Sequence, residues 1–400
     1  MIFSLIPPHF MKSVLHPSLG MFHPSKIRVS RQQYKKNLQY LHSLHPEAKL
    51  MAVLKANAYG HGIQLAETAM EAGCSWIGIV DNWEAKYVRD HNLKTQHQKP
   101  VDILRLRPAT DEEILDNLNN NLNMHEVVGC LDDAQRMNQL AEENGSTIDV
   151  HLKMDIGMGR SGFLPLQLDE MLNVAANDFS ALHVKGVMAH FPSADDNLEV
   201  TQKQYSKFEH TMKKFCEKVN IPSNQLMIHC SNSAATLRLG TAMDMIRVGI
   251  SSYGIAPGID MDFPRDELKS CMRWTTQIAS LRRVPPGRTI GYGMTFVTKR
   301  DSLIATLPFG YADGYWRSIQ ANNKSTVLIS GKRCPVVGRI SMNMITVDVT
   351  DLDSEPKVGD EVCIMGTQGD ETITPEDIAN LAGTIGYEVT IAAGYTGIIR

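Results

Sequence analysis

The sequence predicts an N-terminal (β/α)8 TIM-like barrel followed by a C-terminal mostly-β domain, and three observations predict it. From about residue 30 to about residue 255, short apolar runs alternate with amphipathic stretches. Repeated strand–helix units point to a parallel sheet, and about eight of them to a closed barrel. From about residue 271 the runs become short, β-rich and separated by turn signals, as in a separate all-β unit. All 14 histidines lie at or before His229, so the second half differs in chemistry as well as in rhythm.

Taken in order, the apolar run 51–54 is followed by the amphipathic stretch 64–72, then 76–80 by 83–89 and 103–106 by 111–117. Run 126–129 precedes stretch 131–144, run 148–154 follows, and runs 184–188, 226–229 and 245–250 end the series. The later strands are expected at 274–280, 303–307, 326–329, 335–337, 345–349 and 361–365. Their turns fall at Pro285-Pro286-Gly287, Ser330-Gly331, Lys357-Val358-Gly359-Asp360 and Gln368-Gly369-Asp370, where glycine, proline and aspartate set turn geometry. The expected domains are 25–265 and 266–400.

With 400 residues and 43% hydrophobic content, the chain is globular and large enough for more than one core. A formal charge of −4 carries no basic excess for nucleic acid or an anionic membrane. Seven cysteines without a C-x-x-C pair argue for a reducing compartment. The apolar start, residues 1–6, is interrupted by Pro7-Pro8 and has no preceding positive charge, a poor signal peptide. Met1, Met11 and Met21 are all candidate starts, and a cytoplasmic protein is expected. No H-e-x-x-H or Cys/His zinc spacing is present, so no metal is expected.

The chemistry begins at Lys55, which ends the run Leu50-Met51-Ala52-Val53-Leu54 and precedes Ala56-Asn57-Ala58-Tyr59-Gly60-His61-Gly62. A lysine in a low-dielectric pocket loses its proton readily and becomes a Schiff-base nucleophile, whereas one at an open strand end merely snorkels into solvent. Other charged words end expected barrel strands, where barrel active sites lie. They are His151-Leu152-Lys153-Met154-Asp155-Ile156-Gly157-Met158-Gly159-Arg160, Ala189-His190-Phe191, His229-Cys230-Ser231-Asn232-Ser233 and Asp244-Met245-Ile246-Arg247-Val248-Gly249. The β domain adds Gly291-Tyr292-Gly293, Gly310-Tyr311-Ala312-Asp313-Gly314 and Gly338-Arg339-Ile340-Ser341-Met342-Asn343. Singly, each has a bland explanation: a packed ring, a buried ion pair, a structural histidine.

In their order and spacing these words resemble the pyridoxal-phosphate-dependent alanine racemases (fold type III), over about residues 25–395. The resemblance implies that Lys55 holds the cofactor as a Schiff base and acts as one base, with Tyr292 from a partner subunit as the other. Arg247 would face the pyridine nitrogen, and His190 would link Arg247 to Tyr292. Tyr59, Ser233, Gly249, Ile250 and Tyr387 would hold the phosphate. Arg160 and the Met342 amide would bind the substrate carboxylate, and Lys153 matches a lysine carbamylated in many members. The implied activity is interconversion of L- and D-alanine, supplying D-alanine for peptidoglycan, by a homodimer acting on a small amino acid.

The physics agrees with these roles. Two bases on opposite faces move the α-proton without turning the substrate over, and the cofactor drains charge from the α-carbon. An arginine keeps its proton, so the ring nitrogen stays unprotonated and the sink is weaker. A tyrosine with pKa near 10 is a poor base at neutral pH, and positive charge relayed from Arg247 through His190 would help it.

Some words depart from the alanine-specific pattern. Ser341-Met342-Asn343 stands where Cys-Met-Asp is usual, and Arg105-Leu106-Arg107-Pro108 and Lys299-Arg300-Asp301-Ser302 are closer to the broad-specificity amino-acid racemases. Ile156 replaces a threonine, and Tyr395 an arginine. Gly157-Met158-Gly159-Arg160 and Tyr387-Glu388 fit the alanine-specific type. A barrel-type decarboxylase of basic amino acids would carry a Cys-Asp-type word and an acid in place of Arg247. A metal-dependent aldolase would need a late histidine. A non-catalytic cofactor carrier would lack the β domain and Tyr292.

Overall fold

The computed structural model describes residues 23–176, 179–219, 225–320, 324–396 and 398–399. The three candidate starts lie outside them. The barrel strands are β2 (Lys49–Val53), β3 (Trp76–Ile79), β4 (Asp102–Arg105), β5 (Met124–Val128), β6 (Ile148–Lys153), β7 (Leu182–Met188), β8 (Met227–His229) and β9 (Met245–Val248), preceded by β1 (Lys26–Val29). All eight barrel strands run parallel in the order β8-β7-β6-β5-β4-β3-β2-β9. Two backbone bonds bridge the gap between the ends of this sheet, Asp244 N to Ile228 O at 3.0 Å and Arg247 N to Ser231 O at 2.9 Å. Helices cover the outside, so β5 and β9 are buried at every residue, as strands of a parallel sheet are.

The long helix Leu198–Lys218 fills the stretch between β7 and β8, for which the apolar rhythm predicts no element. Its buried residues, Thr201, Phe208, Thr211, Met212 and Phe215, are spread over 21 positions, so its period is diluted by lysines and glutamates.

The C-terminal strands are β10 (Met272–Gln277), β11 (Ser280–Val284), β12 (Thr289–Ile290), β13 (Phe296–Val297), β14 (Ser302–Leu307), β15 (Thr326–Ile329), β16 (Lys332–Val337), β17 (Ile345–Asp348), β18 (Glu361–Gln368), β19 (Glu371–Ile373) and β20 (Ile398–Ile399). Most join one sheet in the order β11-β14-β17-β16-β15-β18-β10-β1-β20, while β12 and β13 form a small hairpin. β1 therefore belongs to this sheet although it precedes the barrel in sequence. It pairs antiparallel with β10 and so covers an edge that would otherwise lie open. Trp274, Phe309 and Tyr315 fill the core behind it, with the Trp274 and Phe309 rings edge-on at 5.0 Å.

Two helices close the chain, Pro375–Ala382 and Gly386–Thr396, inside the region the sequence predicts as mostly β. The first has a readable start: Thr374 Oγ1 accepts from Asp377 N at 3.0 Å, and Asp377 Oδ2 accepts from Thr374 N at 2.8 Å. Pro375 stands at the first helical position. Among the described residues no helix is long and apolar enough to cross a membrane.

Candidate active site

The loops that follow the barrel strands meet at one mouth, where they surround a cavity of about 220 Å³. Lys55 enters it from the end of β2 over an unusual turn. Ala56, Asn57, Ala58 and Tyr59 all have left-handed backbone, with φ between 53° and 55°, and Gly60 follows at φ 82°. Such a conformation costs about 1–2 kcal/mol per L-residue. The turn is held by Ala58 N to Leu54 O at 2.7 Å, Gly62 N to Asn57 O at 2.9 Å and Ile63 N to Asn57 Oδ1 at 2.8 Å. On its far side Gly60 lies against Gly394 of the last helix, where a Cβ on either glycine would overlap backbone of that helix or of the turn.

The other strand ends complete the walls. β6 and the glycine turn after it contribute Lys153, Met158 and Arg160, and the exit of β7 contributes Met188, His190, Phe191 and Pro192. Asn232 and Ser233 follow β8, and Arg247, Gly249 and Ile250 come from β9 and its exit. Tyr387 reaches in from the last helix and packs against the Tyr59 ring at 5.9 Å. The structure thus brings together Lys55, Tyr59, Lys153, Arg160, His190, Ser233, Arg247, Gly249, Ile250 and Tyr387.

Arg247 is 4% exposed. Its acceptors are His229 Nδ1 at 2.9 Å, Ala189 O at 2.8 Å, Cys230 O at 3.1 Å and His190 Nδ1 at 3.4 Å. None is a carboxylate. Since a guanidinium only donates, His229 presents a bare Nδ1 and carries its proton on Nε2, which donates to His151 Nδ1 at 2.8 Å. Burial, then the Arg247 charge, holds His190 and His229 well below the ordinary imidazole range, so both stay neutral. Burial also brings Arg247 down to about 10, which still leaves it charged near neutrality.

The amines are softened in the same way. Burial, then Arg160 and Arg247, lowers Lys153 to about 8, and its Nζ donates to Ser161 Oγ at 2.7 Å. Lys55 is lowered by burial and then by Arg160, with Glu84 opposing. Burial raises the Tyr59 and Tyr387 phenols, keeping them protonated donors.

Four cations therefore line the cavity and a single acid, Asp195, stands among them. A pocket of this charge suits a ligand with a phosphate and a carboxylate. Pyridoxal phosphate fits the residues present. Ser233 Oγ accepts the Gly249 amide at 2.9 Å and retains its own O–H to donate. Gly249 leaves room that a Cβ would fill, 2.6 Å from the Tyr59 hydroxyl.

Two expected residues are elsewhere. Tyr292, in the β12–β13 turn, is 71% exposed, and Met342 is 55% exposed; neither lines the cavity of its own chain. They stand on one domain with the exposed Met294, Val297 and Met344. The Met342 word is fixed against the Tyr311 word by Ala312 N to Met342 O at 2.9 Å and Tyr311 N to Ser341 O at 3.1 Å.

The residues of the Arg105-Leu106-Arg107 word take different places. Leu106 lines the cavity, while the arginines do not. Arg105 is wholly buried and pairs with Glu126 at 2.7 Å, and Arg107 pairs with Glu113 and with Asp81 at 3.3 Å. They brace the exit of β4. Sequence reasoning gave no role to Asp195, Pro257, Met188 or Glu84. The Asp81…Glu84 spacing of a capping box was a legible signal for the last; wall residues such as Met188 and Pro257 carry none.

Comparison with known proteins accords with this geometry. The family model for the alanine racemase N-terminal domain matches residues 29–257, and that for the C-terminal domain residues 271–396. An alanine racemase of Methylacidiphilum infernorum is 38% identical over 369 residues, 91% of this chain and 86% of that protein. A lysine racemase of Proteus mirabilis is 33% identical over 398 residues, 98% of this chain and 92% of that protein. The crystal structure of alanine racemase from E. faecalis superposes with a TM-score of 0.84 at 29% identity, covering 96% of this chain and 99% of that one. The chain belongs to the alanine racemase family, a pyridoxal-phosphate-dependent and generally dimeric family, and is an amino-acid racemase.

Proposed function

We propose that the chain interconverts L-alanine and D-alanine with pyridoxal phosphate held at Lys55, in a site completed by a second copy of the chain. The observation that carries this is the cavity: a strand-end lysine with a lowered pKa, facing a buried arginine that no carboxylate neutralises. Lys55 would hold the cofactor covalently. Tyr59, Ser233, Tyr387 and the backbone of Gly249 and Ile250 would hold its phosphate, and Arg247 would donate to its ring nitrogen. Bound there, the cofactor supplies a sink for negative charge developing at the substrate α-carbon.

The protein residues do the rest. Arg160, with the Met342 amide of the partner, orients the substrate carboxylate. Lys55 moves the α-proton on one face and the partner subunit's Tyr292 on the other. Neutral His190 accepts from Arg247 at Nδ1, and its Nε2–H would donate to that tyrosine and fix its orientation. Lys153, lowered to about 8, is a good candidate for carbamylation, since the reactive form is the neutral amine; the carbamate would place a negative charge beside Arg160. In this reading residues 25–265 carry most of the cofactor site and 266–400 serve the partner, with two exchanges across the boundary: Lys26–Val29 joins the second sheet, and Tyr387 returns to the cavity of its own chain. The exposed apolar residues around Tyr292 suit a two-fold homodimer, and the role fits a cytoplasmic source of D-alanine for peptidoglycan.

One observation favours a second reading, a broad-specificity racemase: a lysine racemase spans nearly the whole chain. The Ser341, Asn343 and Arg105-Leu106-Arg107 words support it, with Arg105 and Arg107 pairing to Glu126 and Glu113. A racemisation panel of alanine, serine, lysine, arginine and methionine separates the two. Alanine is expected to dominate; comparable rates on alanine and lysine would establish the broader enzyme. Tyr292→Phe is expected to stop α-deuterium exchange from one enantiomer while cofactor binding persists, and symmetric residual rates would remove Tyr292 from its role. Mixing Lys55→Ala with Tyr292→Phe chains should restore about a quarter of wild-type activity, because half the dimers are mixed and each has one intact site of two.

A further inference from the structure

We infer that Glu84 is the positioning residue for Lys55, its carboxylate pinning the left-handed turn that delivers the amine to the cavity. Glu84 is fully buried, on the helix Asn82–Asp90 after β3, and forms no salt bridge among the described residues. A buried carboxylate without a cation persists only where hydrogen bonds satisfy it. Its bonds are all to backbone N–H groups. Oε2 accepts Val80 N at 3.0 Å and Asp81 N at 3.1 Å, and Oε1 accepts Asn57 N at 3.0 Å.

The two oxygens do different work. At Oε2 the bond to Asp81 N is that of an ordinary capping box and the bond to Val80 N reaches one residue earlier; both would be made by any glutamate or glutamine there. The bond at Oε1 belongs to no helix cap. It crosses to the second of four consecutive left-handed residues, the segment least able to hold its own shape. One carboxylate therefore ties the turn after β2 to the exit of β3, and glutamine cannot replace it, because its second terminal atom donates where an acceptor is needed. The negative charge also acts on the Lys55 amine directly.

This inference rests on the reading of Lys55 as the cofactor lysine, and the test separates the two. Holoenzyme is reduced with borohydride, and the modified residue is mapped. Label anywhere other than Lys55 in the wild type overturns the proposed function itself. Amide hydrogen exchange of residues 56–63, kcat and KM are then compared in the wild type, Glu84→Gln and Glu84→Gln with Ala56→Gly. Glu84→Gln is expected to speed exchange of the turn at least tenfold and to lower kcat at least tenfold, with KM within about threefold. The added glycine, free to adopt positive φ, is expected to recover part of both. Exchange and kcat within twofold of wild type, or no recovery with the glycine, overturn the inference while leaving the cofactor site intact. If Glu84→Gln does not fold, the wild-type Asn57 amide decides: slow exchange supports the bond to Glu84, and exchange at the rate of an open loop refutes it.

Discussion

Lys55 and Tyr292 stand at opposite extremes of preparation. Lys55 opens into a cavity lined by residues from the ends of the barrel strands and the last helix, on a turn braced by Glu84 on one side and that helix on the other. Tyr292 is 71% exposed on a two-stranded hairpin. The first base is set by folding and the second, in the proposed reading, by association. In that reading cofactor chemistry and stereochemical outcome are separable: a lone chain would bind the cofactor and would lack the group that returns a proton to the second face.

The largest effect should come from removing the prepared side. Lys55→Ala is expected to lower kcat by on the order of 10³-fold or more, the scale of a general base and above, and to abolish borohydride trapping of the cofactor. Breaking the associated side should look different. Met294→Glu with Met344→Glu puts charge at two exposed apolar positions of the β domain, and is expected to yield monomer in sedimentation with activity down at least about a hundredfold. Trapping of the cofactor at Lys55 should be retained. Loss of trapping in the monomer would show that the Lys55 side also depends on association.

The bracing of β4 sharpens the contrast within one chain. Arg105→Gln leaves Glu126 buried without its cation, and should cost about 3–5 kcal/mol in denaturant unfolding. Arg107→Gln, at a 38% exposed side chain, should cost under about 1 kcal/mol. Neither should alter substrate preference, and a shift toward alanine in either would return the word to the specificity apparatus. The smallest effect is at Lys153. With its amine lowered to about 8, the protonated form dominates below that pH and cannot react with carbon dioxide. The carbamate signal in ¹³C-bicarbonate NMR should rise between pH 7 and pH 9; a signal flat across that range would argue against modification.

What could be read beforehand follows the same division. The barrel strands were legible because each is an apolar run next to a glycine-bearing or charged word, and the residues ending them converge at one mouth by topology alone. The helix Leu198–Lys218 was not, because lysines and glutamates dilute its apolar stripe. β1 was not read as a strand and fell within the expected barrel domain, since its pairing with β10 is a long-range fact that no local pattern encodes. Within the site, residues carrying charge or a ring announced themselves. Met188 and Pro257 act through shape, and Glu84 acts through backbone amides that every residue possesses.

The pairing of β1 with both β10 and β20 has a consequence for the order in which the molecule can be made. β1 is synthesised first, yet its antiparallel partner, Met272–Gln277, follows the entire barrel, and its parallel partner is Ile398–Ile399. On the ribosome the barrel strands can pair while β1 waits with both edges unsatisfied, and the large sheet of the β domain is complete only once residues 398–399 are in place. The cofactor cavity is completed equally late, because Tyr387 lines it and Gly394 braces the Lys55 turn, both from the helix Gly386–Thr396, so the site and the second sheet close with the same stretch of chain.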